Sequence, residues 1–381
     1  MTALAAEDLR AILDAGVAAG RAPGFCAAVI TPRGERVTAC AGVRGVDDPH
    51  AMTPDTLFMI ASCTKAVTSV AALQVVERGL LDLDAPVGER LPALAAPRVL
   101  TGFDAAGAPL TRAATKPITL RHLLTHTSGF AYDFCCADLA AYLTAAGGSL
   151  MSGAEPDIPL MFDPGEAWQY GIGIDWAGRL IETATGQGLD AWCAEHIFAP
   201  LGMNDASFFP DAAQSARKAG VCQKGADGQC VAIPFGMPPV HHFMMGGAGL
   251  YATAGDYLTF LGALLRGGAP LLRPETFALM MQNHVGDLDA GALKTAQPAM
   301  SNDFEPLAGL TRRHGLAGLV NLDPVPGGRS AGALAWAGIA NCYYWADPAA
   351  GAAGLLFSQV MPFADPAILA TFEEVERAVY A

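Results

Sequence analysis

Strand-like sequence sits at the two ends of this chain and is missing from its middle. Residues 24–42, GFCAAVITPRGERVTACAG, read as two strands around a Pro-Arg-Gly turn. Residues 332–348 (GALAWAGIANCYYWADP) and 352–363 (AAGLLFSQVMPF) read as further strands. Between about Asp84 and Pro239, Pro and Gly punctuate short Leu- and Ala-rich helical pieces. A sheet needs its strands side by side, so the two ends must meet in one layer while the middle is looped out. The expected fold is α+β: an antiparallel sheet flanked by terminal helices, carrying an inserted all-helical domain. The expected division is 1–83 with 240–381 as the discontinuous sheet domain, and 84–239 as the helical one. Leu9, Ile12, Leu13 and Val17 give the first helix its stripe. Asp365-Pro366 caps the last, whose buried stripe is Ile368, Leu369, Phe372, Val375 and Val379.

With 52% apolar and 16% charged residues among 381, the chain can bury a large core. A net charge of −14 and only 5 Lys disfavour nucleic acid and anionic membrane as partners. No apolar run is long enough to span a bilayer, and the acidic amphipathic start does not resemble a signal peptide. The 9 Cys are odd in number and scattered, which suggests free thiols, a reducing compartment and a cytoplasmic location.

Chemistry concentrates at FMIASCTKAVTSVAALQVVERG, residues 58–79. Ser62 and Lys65 stand at i and i+3, so on a helix their side chains are neighbours. An alcohol is a poor nucleophile at neutral pH unless a nearby base takes its proton, and a neutral amine can do so. Lys65 lies within an otherwise apolar helix, where a charged amine is costly. An N-cap serine with a solvated lysine is the bland alternative. A second Ser-x-x-Lys, Ser215 to Lys218, lies in a polar stretch with no apolar strand before it. Gly328-Arg-Ser330-Ala-Gly332 matches the Gly-x-Ser-x-Gly nucleophile elbow, yet no His follows it and a strand follows where a helix is required. His122 and His126 are a possible i, i+4 metal pair, but no Glu follows His122. His241-His242 precede a Gly-rich loop, and adjacent side chains diverge. No cofactor or metal is expected.

Further segments complete a pattern: LLTHTSGF (123–130), PGEAWQYGIGIDWAGRLIE (164–182), Gly246-Gly-Ala-Gly249 and the 332–348 strand pair. With Ser62-Cys-Thr-Lys65, and in this order, they resemble the serine β-lactamase and penicillin-binding-protein superfamily, and within it the family VIII carboxylesterases. The resemblance covers roughly residues 8 to 375. It implies Ser62 as nucleophile, with Lys65 and Tyr170 as its proton partners. Which of the two takes the serine proton stays open, since coupled groups titrate together. It also implies an oxyanion hole from the backbone N–H groups of Ser62 and Ile339, and places Trp336-Ala-Gly338 on the strand beside the cleft.

Two departures bear on substrate. Trp336 stands where lactamases carry a lysine, and Ile172 stands where their tyrosine motif carries an asparagine. A carboxylated lactam therefore loses its cation, and a neutral ester fits better. Trp336 and Gly338 are expected to contact substrate, and Phe130, Tyr132 and Phe134 either line the pocket or belong to the core. The expected activity is hydrolysis of short-chain carboxylic esters through an acyl-enzyme. Acyl transfer or weak β-lactamase activity on the same site is the alternative, and an inactive peptide- or cell-wall-binding relative is the third reading.

Overall fold

A computed structural model describes residues 4–152, 154–237 and 242–381. His241 and the expected 239/240 division lie outside the described residues. A seven-stranded sheet forms the centre, in the order Arg36–Gly42, Gly24–Ile30, Ala352–Phe357, Cys342–Asp347, Leu334–Gly338, Leu319–Asn321, Arg312–His314. Every neighbouring pair is antiparallel. Its strands come only from residues 24–42 and 312–357. The two short strands Arg312–His314 and Leu319–Asn321 extend it beyond the strands legible in the sequence.

The helices Ala6–Ala18 and Pro366–Tyr380 pack together against the sheet. Asp365 accepts from the N–H groups of Ala367 and Ile368, as a Pro-led helix start requires. Gly16 lets the first helix close on the sheet, since a Cβ there would sit 3.1 Å from the Phe25 ring. Gly354 faces Trp345 in register and leaves room for the indole to lie across its strand. The helix Ala254–Leu265 also packs on the sheet, with the Tyr257 ring 5.3 Å from Tyr344 and 5.7 Å from Phe357.

The helix Thr64–Glu77 is buried continuously from Thr64 to Val75. It packs against helix Gly173–Thr185 and meets helix Leu189–Cys193. A helix with no wet face desolvates any charge it carries. Among the described residues, no helix is long and apolar enough to cross a membrane.

Two expectations need correction. The middle region is not all helical: Arg98–Phe103 pairs with Pro109–Ala113, and Cys222–Lys224 with Cys230–Ala232. Turn chemistry explains both. Asp104 accepts from Ala106 and Ala108 while Gly107 takes φ 81°, and Asp227-Gly228 closes the second hairpin with Gly228 at φ 79°. The cysteines are not all free either: Cys26 and Cys40, directly opposed on the first two strands, form a disulfide. The other seven are free thiols. The cysteine inventory therefore no longer argues for a reducing compartment.

Candidate active site

Ser62 lies in the single 3-10 turn, Ala61–Cys63, that opens the buried helix. Ala61 before it is held at φ 46°, a conformation costly for a residue with a Cβ. The turn is pinned on several sides. Ile60 donates to the Leu250 carbonyl, Thr64 Oγ1 donates to the Ala61 carbonyl at 2.6 Å, and Tyr257 Oη donates to the Cys63 carbonyl at 2.8 Å. Strand Leu334–Gly338 comes against it because Gly338 has no Cβ, which would otherwise strike the Ile60 carbonyl oxygen. Gly338 thus sets the strand's approach and does not line the cleft, correcting its expected substrate contact.

Lys65 is 2% exposed. Its Nζ lies 3.1 Å from Ser62 Oγ, 3.1 Å from Tyr132 Oη and 2.8 Å from the Gly247 carbonyl oxygen. Tyr132 Oη donates in turn to Asp175 Oδ2 at 3.2 Å, and Gly247 N donates to Asp175 Oδ1 at 3.0 Å. Glycine is required at 247, since a Cβ would stand 2.7 Å from Asp175 Oδ2 and 3.1 Å from Tyr132 Oη. Burial pulls the Lys65 ammonium down to about 8, against the opposing charge of Asp175. The same burial raises the Asp175 carboxyl, offset by Lys65, Gly247 and Tyr132.

These contacts fix the direction of the Lys65 hydrogens. The Gly247 carbonyl only accepts. The Tyr132 proton is committed to the Asp175 carboxylate, so the phenolic oxygen accepts from Lys65. A neutral amine has two hydrogens and one lone pair. In the ammonium form the third hydrogen goes to Ser62 Oγ, and its loss leaves the lone pair facing Ser62.

Tyr170 borders the smaller cavity at Ser62. Its hydroxyl accepts from Trp336 Nε1 at 3.3 Å and shares the wall of that cavity with Ser62. Burial raises its pKa above the usual phenol value, offset by Ser62 and Trp336, so it remains a phenol. The Lys65 Nζ lies 4.8 Å from the Tyr170 ring centre and 5.0 Å from that of Tyr132. The segment LLTHTSGF holds this arrangement. Gln169 donates to the His126 carbonyl, Gly171 N to His126 Nδ1, and Tyr132 N to the Tyr170 carbonyl. His126 packs 4.9 Å from the Tyr170 ring and His314 packs 5.2 Å from His126. Both imidazoles are buried, which lowers His126 well below its usual value and His314 to about 4. His122 instead accepts from Thr119 N, so the i, i+4 histidines do not converge on one site.

Two apolar cavities meet at Ser62. One of about 320 Å³ is lined by Tyr132, Phe134, Ile172, Asp175, Met245 and Met300, among others. The other, about 20 Å³, is lined by Tyr170, Trp336, Ala337, Phe134, Phe304 and Phe363, among others. Ser62 and Ile339 border both. No Lys or Arg among the described residues borders either one. Phe130 lines neither. It stacks 6.1 Å from Trp176 and is buried in the core. The decoys are accounted for as well. Ser330 N bonds the buried Asp347, and Lys218 lies over the Tyr251 ring.

The Beta-lactamase family pattern matches residues 9–377. The chain belongs to that family. Among its relatives, Monacolin J acid methylbutanoyltransferase of Aspergillus terreus is 37% identical over 368 residues, 90% of this chain and 88% of the relative. Lovastatin esterase of Penicillium rubens is 35% identical over 303 residues, 74% of each. The solved structure of unliganded simvastatin synthase from Aspergillus terreus superposes with a TM-score of 0.84 at 32% identity, covering 100% of this chain and 99% of that one. EstCE1, a hydrolase with promiscuous acyltransferase activity, shares the fold at a TM-score of 0.77 and 21% identity.

Within this Beta-lactamase family fold, Ser62, Lys65, Tyr170, Trp336 and Ile339 come together as the motif order implied. Asp175 and the Gly247 carbonyl were missed. Asp175 offered a signal: it is a carboxylate on a buried helix, five residues after Tyr170, in a chain whose other helix already buries a lysine. Tyr132, expected only as a pocket or core residue, also contacts Lys65.

Proposed function

We propose that the protein transfers acyl groups from esters to alcohols through an acyl-enzyme on Ser62, with water as a competing acceptor. One observation carries this reading: Ser62 Oγ lies 3.1 Å from the Lys65 amine and shares a cavity wall with the Tyr170 phenol, at the junction of two largely apolar cavities that no Lys or Arg among the described residues borders. Lys65 takes the Ser62 proton as Oγ bonds the acyl carbon. The backbone N–H groups of Ser62 and Ile339 hold the resulting oxyanion. The carbon–oxygen bond to the alcohol then breaks. Tyr170 supplies the alkoxide with a proton, which is replaced from the Lys65 ammonium. An incoming alcohol or water reverses these steps and frees Ser62.

Tyr170 borders the small cavity and not the large one. The group that protonates the leaving oxygen must stand beside it, so the alcohol occupies the Tyr170 side. The acyl group then occupies the larger cavity. The absence of any cation among the described lining residues, with Asp133 and Asp175 present, disfavours a lactam carboxylate. The relatives include both transferase and esterase names, which supports one site serving two acceptors. Hydrolysis of carboxylic esters is the second reading, favoured by that esterase relative.

The test is to turn over a p-nitrophenyl ester with rising n-butanol. Transfer gives mostly butyl ester at an undiminished rate of p-nitrophenol release. Free acid alone at every butanol concentration assigns the protein as a hydrolase, and no p-nitrophenol release removes both readings.

A further inference from the structure

A third, larger cavity lies behind strand Leu334–Gly338, about 540 Å³ in volume, between that strand and the helix Pro366–Tyr380. Ala335 and Ala337 both border it, and Ala337 also borders the small space at Ser62, which Ala335 does not. Their cross-strand partners are Trp345 and Tyr343, and both of those rings pack on Phe372 of the helix. Two methyl groups opposite Leu369 and Phe372 leave unfilled a volume that larger side chains would occupy.

This cavity and the small one at Ser62 share three lining residues: Phe304, Trp336 and Ala337. Phe304 is half-buried, and its backbone is fixed by exchange of both hydrogen bonds with Leu293. Its ring rests 4.9 Å from Phe363. Its side chain, with Trp336 and Ala337, lies between the two spaces. The charged residues around the larger cavity are all in ion pairs, Asp303 with Lys294 and Glu305 with Arg312 among them. Arg329 and Glu376 are buried against each other at 2.6 Å, and Glu373 pairs with Arg377 on the exposed face of the helix.

We propose that the alcohol portion of the substrate runs from Ser62 past Phe304 and Ala337 into this cavity, so that the enzyme acts on esters of long, uncharged alcohols. The inference rests on the acyl-transfer reading and on its placement of the alcohol beside Tyr170. A space of about 20 Å³ accommodates little more than one water-sized group. Any alcohol larger than that must continue beyond Phe304, and the adjoining cavity, with Leu319, Leu369 and Phe372 in its wall, is large enough for a long alkyl chain.

Two substrate series test this. Alkyl acetates from ethyl to decyl vary the alcohol, and p-nitrophenyl esters from acetate to decanoate vary the acyl chain. Ala335→Phe fills the cavity without touching the small space at Ser62. It is expected to lower kcat/KM for decyl acetate at least about tenfold, because each methylene denied burial is worth roughly fourfold. Ethyl acetate should stay within about twofold of the wild type, and the decanoate-to-acetate ratio of the p-nitrophenyl series should stay within about twofold as well. Phe304→Ala should raise decyl acetate relative to ethyl acetate. An unchanged decyl-to-ethyl ratio in Ala335→Phe, or a loss confined to the decanoyl substrate, overturns the proposal. Leu369→Trp fills the same cavity from the helix side if Ala335→Phe does not fold. Independently of any variant, an acetate ester of a decanol tipped with a diazirine should photolabel residues 303–310 or 366–380. Labelling of 149–156 instead overturns the proposal. Failure of the acyl-enzyme reading looks different: ethyl acetate itself would not turn over.

Discussion

Replacing Asp175 by Asn tests whether that carboxylate sets the protonation of Lys65. The Lys65 amine reaches Asp175 through one phenolic oxygen, 3.1 Å on one side and 3.2 Å on the other. Two unit charges about 6 Å apart at an effective dielectric of about 20 interact by roughly 3 kcal/mol. That corresponds to about 2 pH units in the Lys65 equilibrium. The sign follows from the charge. Asp175 stabilises the ammonium, so its removal lowers the Lys65 pKa from about 8. The base is the neutral amine, so wild-type kcat/KM for p-nitrophenyl acetate should rise with pH through about 8. In Asp175→Asn the same acidic limb should move down by about 1–2 units. The plateau should fall as well. The Asn amide can donate to Tyr132, freeing that phenol to donate to the Lys65 lone pair in place of Ser62. The assay is kcat/KM from pH 5.5 to 10, corrected for spontaneous hydrolysis. A limb that stays in place or moves upward refutes the reasoning, whatever happens to the plateau.

Other outcomes follow from single contacts. Trp336→Phe removes the donor to Tyr170 and should lower kcat/KM about three- to tenfold without moving the acidic limb, read in the same pH series. Gly247→Ala places a methyl group against Asp175 and Tyr132, so turnover should fall sharply while far-UV circular dichroism stays native. Arg329→Met leaves Glu376 buried without its partner and should cost about 3–5 kcal/mol in denaturant unfolding. Arg329→Met combined with Glu376→Leu should recover most of that loss.

The parts of this molecule that were legible in the sequence are those with local chemistry. The first two strands, the Asp365-Pro366 helix start and the buried helix after Ser62 each carry their own pattern of turn, cap or apolar repeat. The hairpins at 98–113 and 222–232 escaped because their strands are short and exposed, and alternate weakly, although Asp227-Gly228 marked one of the turns. The strands Arg312–His314 and Leu319–Asn321 have three residues each, too few for any period to show. At the site, Ser62, Lys65 and Tyr170 were recoverable from spacing and motif order. Asp175 and the Gly247 carbonyl were not, because their meeting with Lys65 depends on how helix Gly173–Thr185 packs against helix Thr64–Glu77. A backbone carbonyl has no residue-type signature at all. The Cys26–Cys40 bond follows from strand register, which cysteine spacing alone does not reveal.

The account stands on covalent chemistry at Ser62, and the direct measurement is rapid acid quench after mixing with p-nitrophenyl acetate, followed by peptide mass mapping. One acetyl group is expected on the peptide containing Ser62, absent in Ser62→Ala and decaying faster when an alcohol is added. Turnover of the ester with no acetylated Ser62, or with the acetyl group on another residue, contradicts it.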